Sequence, residues 1–133
     1  MTLNSSTIAQ AIDEAPFNRG VRGADWLASG ENTAVTFDNG DIALFEGEGD
    51  GNYSVHFLFI GRGRKAIDHA REAFKVMFTA HGAKLIFGLV PAFRRDVRLL
   101  ARWAGGKCAG IRETADGPCV LYVLSKSMWE GSK

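Results

Sequence analysis

The segment VHFLFIGRGRKAIDHAREAF, residues 55–74, decides the fold, because it joins an apolar strand to an amphipathic helix through a turn of glycines and basic residues. The turn spans residues 61–66. A turn between a strand and a helix directs free backbone N–H groups, and the positive end of the helix dipole, to one point in space. Such a point is suited to hold a phosphate group. The sequence therefore predicts an anion site at residues 61–66.

A second strand and a second helix follow. One face of the first helix is apolar, with a helical spacing that includes Ile67, Phe74 and Met77. Residues 85–90 are all apolar apart from one glycine, as is typical of a central strand buried on both faces. A strand–helix–strand crossover makes its two strands parallel. We therefore predict that residues 53–60 and 85–90 are adjacent, parallel and divergent toward their C-terminal ends.

The segments on either side complete a mixed sheet. Residues 7–15 favour a helix with Ser5 or Ser6 as N-cap and Pro16 at its end, and residues 24–29 favour a short helix. Asn39-Gly40 separates two apolar strands, residues 34–37 and 42–45, and predicts a hairpin. Residues 47–52 are predicted to form a flexible polar loop. Residues 93–104 have the pattern of a second helix with Phe93 and Trp103 in the core, and residues 107–112 and 119–125 have that of two more strands.

These elements predict an α+β fold with a mostly antiparallel sheet and one central parallel strand pair. The 133 residues, of which 46% are apolar, are enough for a single domain over residues 1–133. No apolar run reaches membrane-spanning length, and the N-terminus lacks the pattern of a signal peptide. We expect a cytoplasmic protein with reduced, packed cysteines at Cys108 and Cys119. The absence of CxxC and the scattered histidines argue against a metal site.

The net charge of +1 conceals an asymmetry between the two halves of the chain. Residues 1–50 contain two arginines and nine acids, whereas residues 51–133 contain fourteen basic and six acidic residues. Two solvated faces of opposite charge would explain this distribution, and so would an anion-binding second half. Nucleic acid is a weaker candidate for that anion, because the arginines lack interleaved exposed aromatics.

The glycine pattern alone is ambiguous. Residues 61–66 formally satisfy the dinucleotide-binding pattern G-x-G-x-x-G/A. The context does not fit that fold, because a meander of three strands precedes the turn and no acid follows residues 85–90 to bind a ribose. A Walker A motif is absent from the sequence. Dinucleotide binding is therefore disfavoured.

The order of elements resembles the GNAT superfamily of N-acetyltransferases, and is closest to small phage-borne members. In that family the turn binds the pyrophosphate of acetyl-CoA, and the pantetheine arm lies between the two diverging strands. The resemblance implies that acetyl-CoA is the cofactor and that an amine, on a small molecule or a protein, is the acceptor. It leaves a homodimer open. The residues that it assigns to cofactor binding are Leu58, Phe59, Ile60, Arg62, Gly63, Arg64, Lys65, Ala66 and Arg94.

The chain departs from the family pattern in four places. Either Lys65 replaces a glycine of the turn or the spacing of the turn is shifted by one residue. Arg94 replaces an asparagine, and Gly106 replaces a phenylalanine. The family's tyrosine, which often acts as a general acid, would fall near Ala101. These departures leave a second hypothesis open, a catalytically inactive module of the same fold that serves in binding or in a phage virion.

Acetyl transfer would need a base for the amine and a donor for the thioester carbonyl. His56 is the first candidate base, because imidazole titrates near neutral pH, and Glu46 on the neighbouring strand is the second. A packed histidine and a solvated acid are the structural alternatives for these two residues. A backbone N–H of Leu58, Phe59 or Ile60, freed where the strands diverge, is the candidate donor.

Overall fold

A six-stranded mixed sheet, in the order β1-β2-β3-β4-β6-β5, organises the molecule. The computed structural model describes residues 4–15 and 20–131. In these residues the elements are α1 (Ser5–Asp13), α2 (Gly23–Ala28), β1 (Thr33–Thr36), β2 (Ile42–Gly49), β3 (Asn52–Leu58), α3 (Arg64–Ala80), β4 (Leu85–Pro91), α4 (Arg95–Trp103), β5 (Lys107–Thr114), β6 (Gly117–Ser125) and α5 (Lys126–Gly131). No described helix combines the length and the apolar character that a membrane crossing requires.

The N-terminal helices form a tight pair. The N-cap of α1 is Asn4, whose Oδ1 accepts the Thr7 N–H at 2.8 Å, so the prediction of Ser5 or Ser6 was wrong. Both serines are short side chains inside the first turn, and the asparagine before them makes the same cap bond. The predicted helix end at Pro16 falls outside the described residues. Helix α2 confirms the second predicted helix, and its Gly23 is so close to α1 that a Cβ would overlap a carbonyl oxygen.

The β1–β2 hairpin is confirmed, with Thr36 opposite Ile42 and a positive φ at Gly40. The predicted loop at residues 47–52 was wrong. Strand β2 continues to Gly49, and β3 begins at Asn52 after a tight turn. Asp50 and the glycines on either side of it adopt positive φ, so the glycines there serve a sharp reversal and not a mobile loop.

The central strands β3 and β4 are adjacent and parallel, as the sequence predicts. Their pairing covers three positions, from Asn52 opposite Leu85 to Ser54 opposite Phe87. Both strands continue beyond this point, and β4 remains paired with β6 as far as Pro91. The C-terminal halves of β3 and β4 therefore diverge and leave a gap in the sheet.

The sheet buries its two faces unequally. The larger core lies under α3 and α4 and includes Phe45, Phe74 and Phe78, while α1 and α2 cover β1 to β3 on the other face, around Leu44. No described helix of that second core reaches β4, so Leu89 is 49% exposed and the prediction of a strand buried on both faces was wrong.

The apolar residues at the two ends of α4 are also more exposed than predicted. Phe93 lies in the turn before the helix and is 81% exposed, and Trp103 is 59% exposed. The helix packs through smaller residues instead, chiefly Val97 and Ala101. Both cysteines are free thiols, but only Cys119 is buried, so the prediction of a packed thiol was wrong for Cys108 on edge strand β5.

Candidate active site

The gap between β3 and β4 opens into a cleft of about 750 Å³. Its walls come from the unpaired half of β3, from β4, from the start of α4 and from β6. Most of the lining side chains are apolar, including Val55, Phe57 and Val90. The size and character are those of a small-molecule site.

Gly88 lines the cleft on β4 and faces Val55 of β3. It lies on β4 opposite Tyr122, and a Cβ at this position would come within 3.3 Å of Val55 Cγ1 across the gap. A larger side chain would therefore bridge β3 and β4. The absence of a side chain leaves room for a slender ligand between the two strands.

His56 and Glu46 form a pair at the cleft. Their strands are neighbours, and His56 Nε2 lies 2.8 Å from Glu46 Oε1. Both side chains are about two-thirds buried, and His56 is part of the cleft wall. The two predicted bases are therefore brought together, and His56 is accessible from the cleft.

The electrostatic surroundings of His56 favour the neutral imidazole. Burial lowers its pKa, and this effect outweighs the opposing attraction of Glu46 and Glu48, so the pKa lies below its ordinary value. A neutral imidazole at pH 7 has a nitrogen lone pair that can accept a proton.

The glycine turn begins after β3 and leads directly into α3. Gly63 precedes the helix with φ of 62° and ψ of −136°, a conformation that is essentially restricted to glycine. No described side chain caps the helix, and its first turn contains no acid. The N–H groups of that first turn are therefore available to an anion, and the anion site at residues 61–66 stays a prediction.

The arginines of the turn, and Arg94 at the cleft wall, form hydrogen bonds or ion pairs within the protein. Arg62 Nη1 folds back onto the carbonyls of residues 59–61 at 3.2–3.3 Å. Arg64 Nε pairs with Asp68 at 2.9 Å, and Arg94 at the cleft wall pairs with Asp96 at 3.1 Å. These three arginines are exposed, as is Lys65. Exposed pairs of this kind are weak, so a phosphate can compete for the guanidinium groups.

The structure removes one predicted donor. The Ile60 N–H donates to Asp41 Oδ1 at 2.6 Å, and the Gly61 N–H donates to the same oxygen at 2.8 Å. A backbone N–H that is held by a carboxylate cannot also polarise a thioester carbonyl, so the predicted role was wrong for Ile60. Leu58, which lines the cleft, and Phe59 stay as predicted donors.

Three residues near the site were missed in the sequence. Asp41 carried only the signal of a hairpin residue, and His69 stood out in no pattern. Tyr122 belongs to the cleft wall and to the same buried cluster as Ala101, near which the family resemblance implied a tyrosine. No local sequence pattern indicates that a residue of β6 will lie in one cluster with a residue of α4.

Comparison with known proteins finds similarity in structure alone. No family model and no curated protein matches the sequence. Solved structures that are similar include AAC(6')-Ib in complex with paromomycin and acetyl-CoA, with a TM-score of 0.67 and 19% identity over 80% of this chain and 72% of that one. A variant of the spermidine N-acetyltransferase SpeG from Vibrio cholerae has a TM-score of 0.68 and 12% identity over 82% and 75%.

A third similar structure is RimJ of Mycobacterium smegmatis in complex with CoA-disulfide, with a TM-score of 0.68 and 14% identity over 79% of this chain and 59% of that one. At such low identity the likeness concerns the backbone and not individual side chains. It agrees with the observed strand order, with one parallel pair in an otherwise antiparallel sheet. The chain therefore has the fold of the GNAT acetyltransferases.

Proposed function

We propose that this protein is an N-acetyltransferase that moves an acetyl group from acetyl-CoA to an amine. The observation that carries the proposal is the coincidence of three features in one place: the cleft between β3 and β4, the His56–Glu46 pair on its wall, and the uncapped start of α3 just beyond β3. Such a coincidence is what a donor with a phosphate end and a slender reactive arm requires.

The residues present fit acetyl-CoA. The uncapped N–H groups at the start of α3, next to Arg64 and Lys65, would hold the pyrophosphate. Gly88 leaves space for the pantetheine arm to pass between the strands. Arg94, on the cleft wall, would contact the arm or the phosphates. Similar structures were solved with acetyl-CoA or CoA, which supports the same donor here.

Acetyl-CoA supplies a thioester, whose carbonyl carbon is open to attack by an amine. The His56 imidazole would take the proton that the amine nitrogen loses as the new C–N bond forms. Glu46 stabilises the resulting imidazolium at 2.8 Å from Nε2 and orients the ring. The N–H of Leu58 or Phe59 stabilises the negative charge on the carbonyl oxygen. The C–S bond of the donor would then break, and His56 would return its proton to the thiolate that leaves, so that the imidazole is neutral again for the next cycle.

The acceptor that we favour is a small-molecule amine. The similar structures include enzymes named for aminoglycosides and for spermidine. Glu48 extends the negative side of β2 beyond Glu46 and accepts a hydrogen bond from Ser54 at 3.2 Å. A cationic amine approaching this end of the strand would meet a favourable potential. A protein acceptor, a homodimer, a cytoplasmic location and a phage origin stay predictions.

Isothermal titration of the protein with CoA tests the proposal. We expect binding by the wild type, loss of binding in Gly88→Val, which closes the gap, and weaker binding by about 1–3 kcal/mol in a double variant with Arg64→Ala and Lys65→Ala. Circular dichroism and thermal melting check that each variant is folded.

Lys126→Ala is the matched control for lost positive charge, because this exposed lysine lies in α5, outside the cleft wall. Failure of the wild type to bind CoA would contradict the proposal and favour the non-catalytic module.

A further inference from the structure

Asp41 is buried in a way that the proposed reaction does not explain. It follows the turn of the β1–β2 hairpin and is fully inaccessible to solvent, and it is the one buried charged residue in the described part of the chain. Burial of a carboxylate is strongly unfavourable unless hydrogen bonds and charges compensate for the lost water. Its partners therefore indicate what it stabilises.

The carboxylate connects three elements. Oδ1 accepts the N–H groups of Ile60 and Gly61, which lie two and three residues after the end of β3, at 2.6 and 2.8 Å. Oδ2 lies 2.8 Å from Nδ1 of His69 on α3. The His69 ring is itself stacked on Phe37, with ring centroids 4.0 Å apart and planes 9° from parallel. One side chain of the hairpin thus holds both the strand end and the helix.

These contacts lie on both sides of the glycine turn, residues 61–66. Residues 60 and 61 are its entry, and α3, held at His69, is its exit. Among the described residues no side chain caps α3, and Gly63 in the turn adopts a backbone conformation that is essentially restricted to glycine. The packing around Gly61 is close, since a Cβ there would come within 3.0 Å of Asn39 Nδ2 and Asp41 Oδ2. The β1–β2 hairpin, through Asn39 and Asp41, therefore packs directly against the first residue of the turn.

We propose that Asp41 and His69 are positioning residues that set the backbone of residues 60–66 in the geometry that binds the pyrophosphate of the donor. The inference rests on the proposed function, because it assigns the turn to a CoA phosphate group. The hydrogen bonds that Asp41 receives lower its pKa despite its burial, which keeps the carboxylate ionised and its acceptor role strong.

The sign of the effect separates positioning from simple electrostatics. A negative carboxylate near an anion site disfavours the anion, so its replacement by a neutral residue would tighten CoA binding if charge alone mattered. Loss of a positioning contact weakens binding instead. Asp41→Asn, which keeps the size of the side chain and removes the charge, therefore gives opposite results under the two explanations.

The experiment measures CoA binding by calorimetry, and acetyl transfer from two donors, acetyl-CoA and S-acetylpantetheine, which lacks the pyrophosphate. We expect Asp41→Asn to raise the Kd for CoA about 10-fold, as for one weakened charge-assisted hydrogen bond. The kcat/KM with S-acetylpantetheine should be unchanged, because that donor does not use the turn. Asp38→Asn, an exposed acid of the same hairpin, should not weaken CoA binding.

A second pair of variants keeps the test valid if Asp41→Asn does not fold. His69→Leu removes the donor to Asp41 and should weaken CoA binding, while His69→Asn, whose amide nitrogen can replace Nδ1, should restore it. Equal losses with both donors, or unchanged CoA binding in Asp41→Asn and His69→Leu, would overturn the inference and leave the proposed function intact. No CoA binding by the wild type would overturn the proposed function itself.

Discussion

Two carboxylate–histidine pairs lie along β2, one before its first residue and one near its middle, and they share a distance but differ in burial and in their other contacts. Asp41, just before β2, and Glu46, within β2, each lie 2.8 Å from a histidine nitrogen. Asp41 is wholly buried, whereas Glu46 is 32% exposed at the side chain. Asp41 also accepts two backbone N–H groups. A carboxylate–histidine pair can therefore have a structural role or a chemical one, depending on whether solvent and ligand can reach it.

The largest expected difference between the pairs is in catalysis. His56→Ala should lower kcat for acetyl transfer by about 10²–10³, the usual loss with a general base, and leave the Kd for CoA unchanged. His81→Ala, at the exposed end of α3, is the matched control and should leave both parameters unchanged. Steady-state kinetics and calorimetry measure the two effects. A loss of CoA affinity equal to the loss in kcat would indicate that His56 shapes the cleft and does not transfer a proton.

The second difference is in stability. Asp41→Ala should lower the free energy of unfolding by about 2–4 kcal/mol, because it leaves the N–H groups of Ile60 and Gly61 without their acceptor. Glu46→Ala removes a partly exposed pair and should cost about 1 kcal/mol or less. Urea denaturation of both variants gives the comparison. Similar losses would mean that the two pairs do not differ in structural role.

The third difference is in how folding stability depends on pH in the acid range. The folded pKa of Asp41 is lowered, so the unfolded chain binds more protons as the pH falls below about 4, and folding stability decreases there. Above that range the contribution of the carboxylate is fully present. Denaturation at several pH values should show that the stability difference between the wild type and Asp41→Asn narrows below about pH 4. A constant difference at all pH values would contradict the assignment.

The smallest effect concerns His56 at milder pH. Its folded pKa is also lowered, so between this value and its ordinary value near 6.5 the unfolded chain binds the proton more readily. Wild-type stability should therefore decrease slightly as the pH falls below about 6.5, and His56→Gln should lack that slope. The acid limb of the pH–rate profile should lie below pH 6.5 as well. If that limb persists in His56→Gln, another group is the base.

Much of the frame of the molecule was predictable from local patterns. The strand–turn–helix at residues 55–74, the hairpin at Asn39-Gly40 and the parallel central pair each follow from periodicity, turn chemistry and the handedness of crossovers. The same patterns placed His56 and Glu46 on neighbouring strands. The errors in burial fall where it depends on distant elements, as for Phe93 and Leu89, which the pattern of apolar residues assigned to the core.

Sequence by itself determined the order of elements, the glycine turn and the residues available to it, because backbone geometry and apolar periodicity act over a few residues. Only the tertiary structure decided what the side chains do. It paired His56 with Glu46 and placed Tyr122 in one buried cluster with Ala101. It also brought Asp41 into contact with Ile60, Gly61 and His69. These contacts join residues that are far apart in the chain, and their strength depends on burial. A local sequence pattern indicates neither the partners nor the burial.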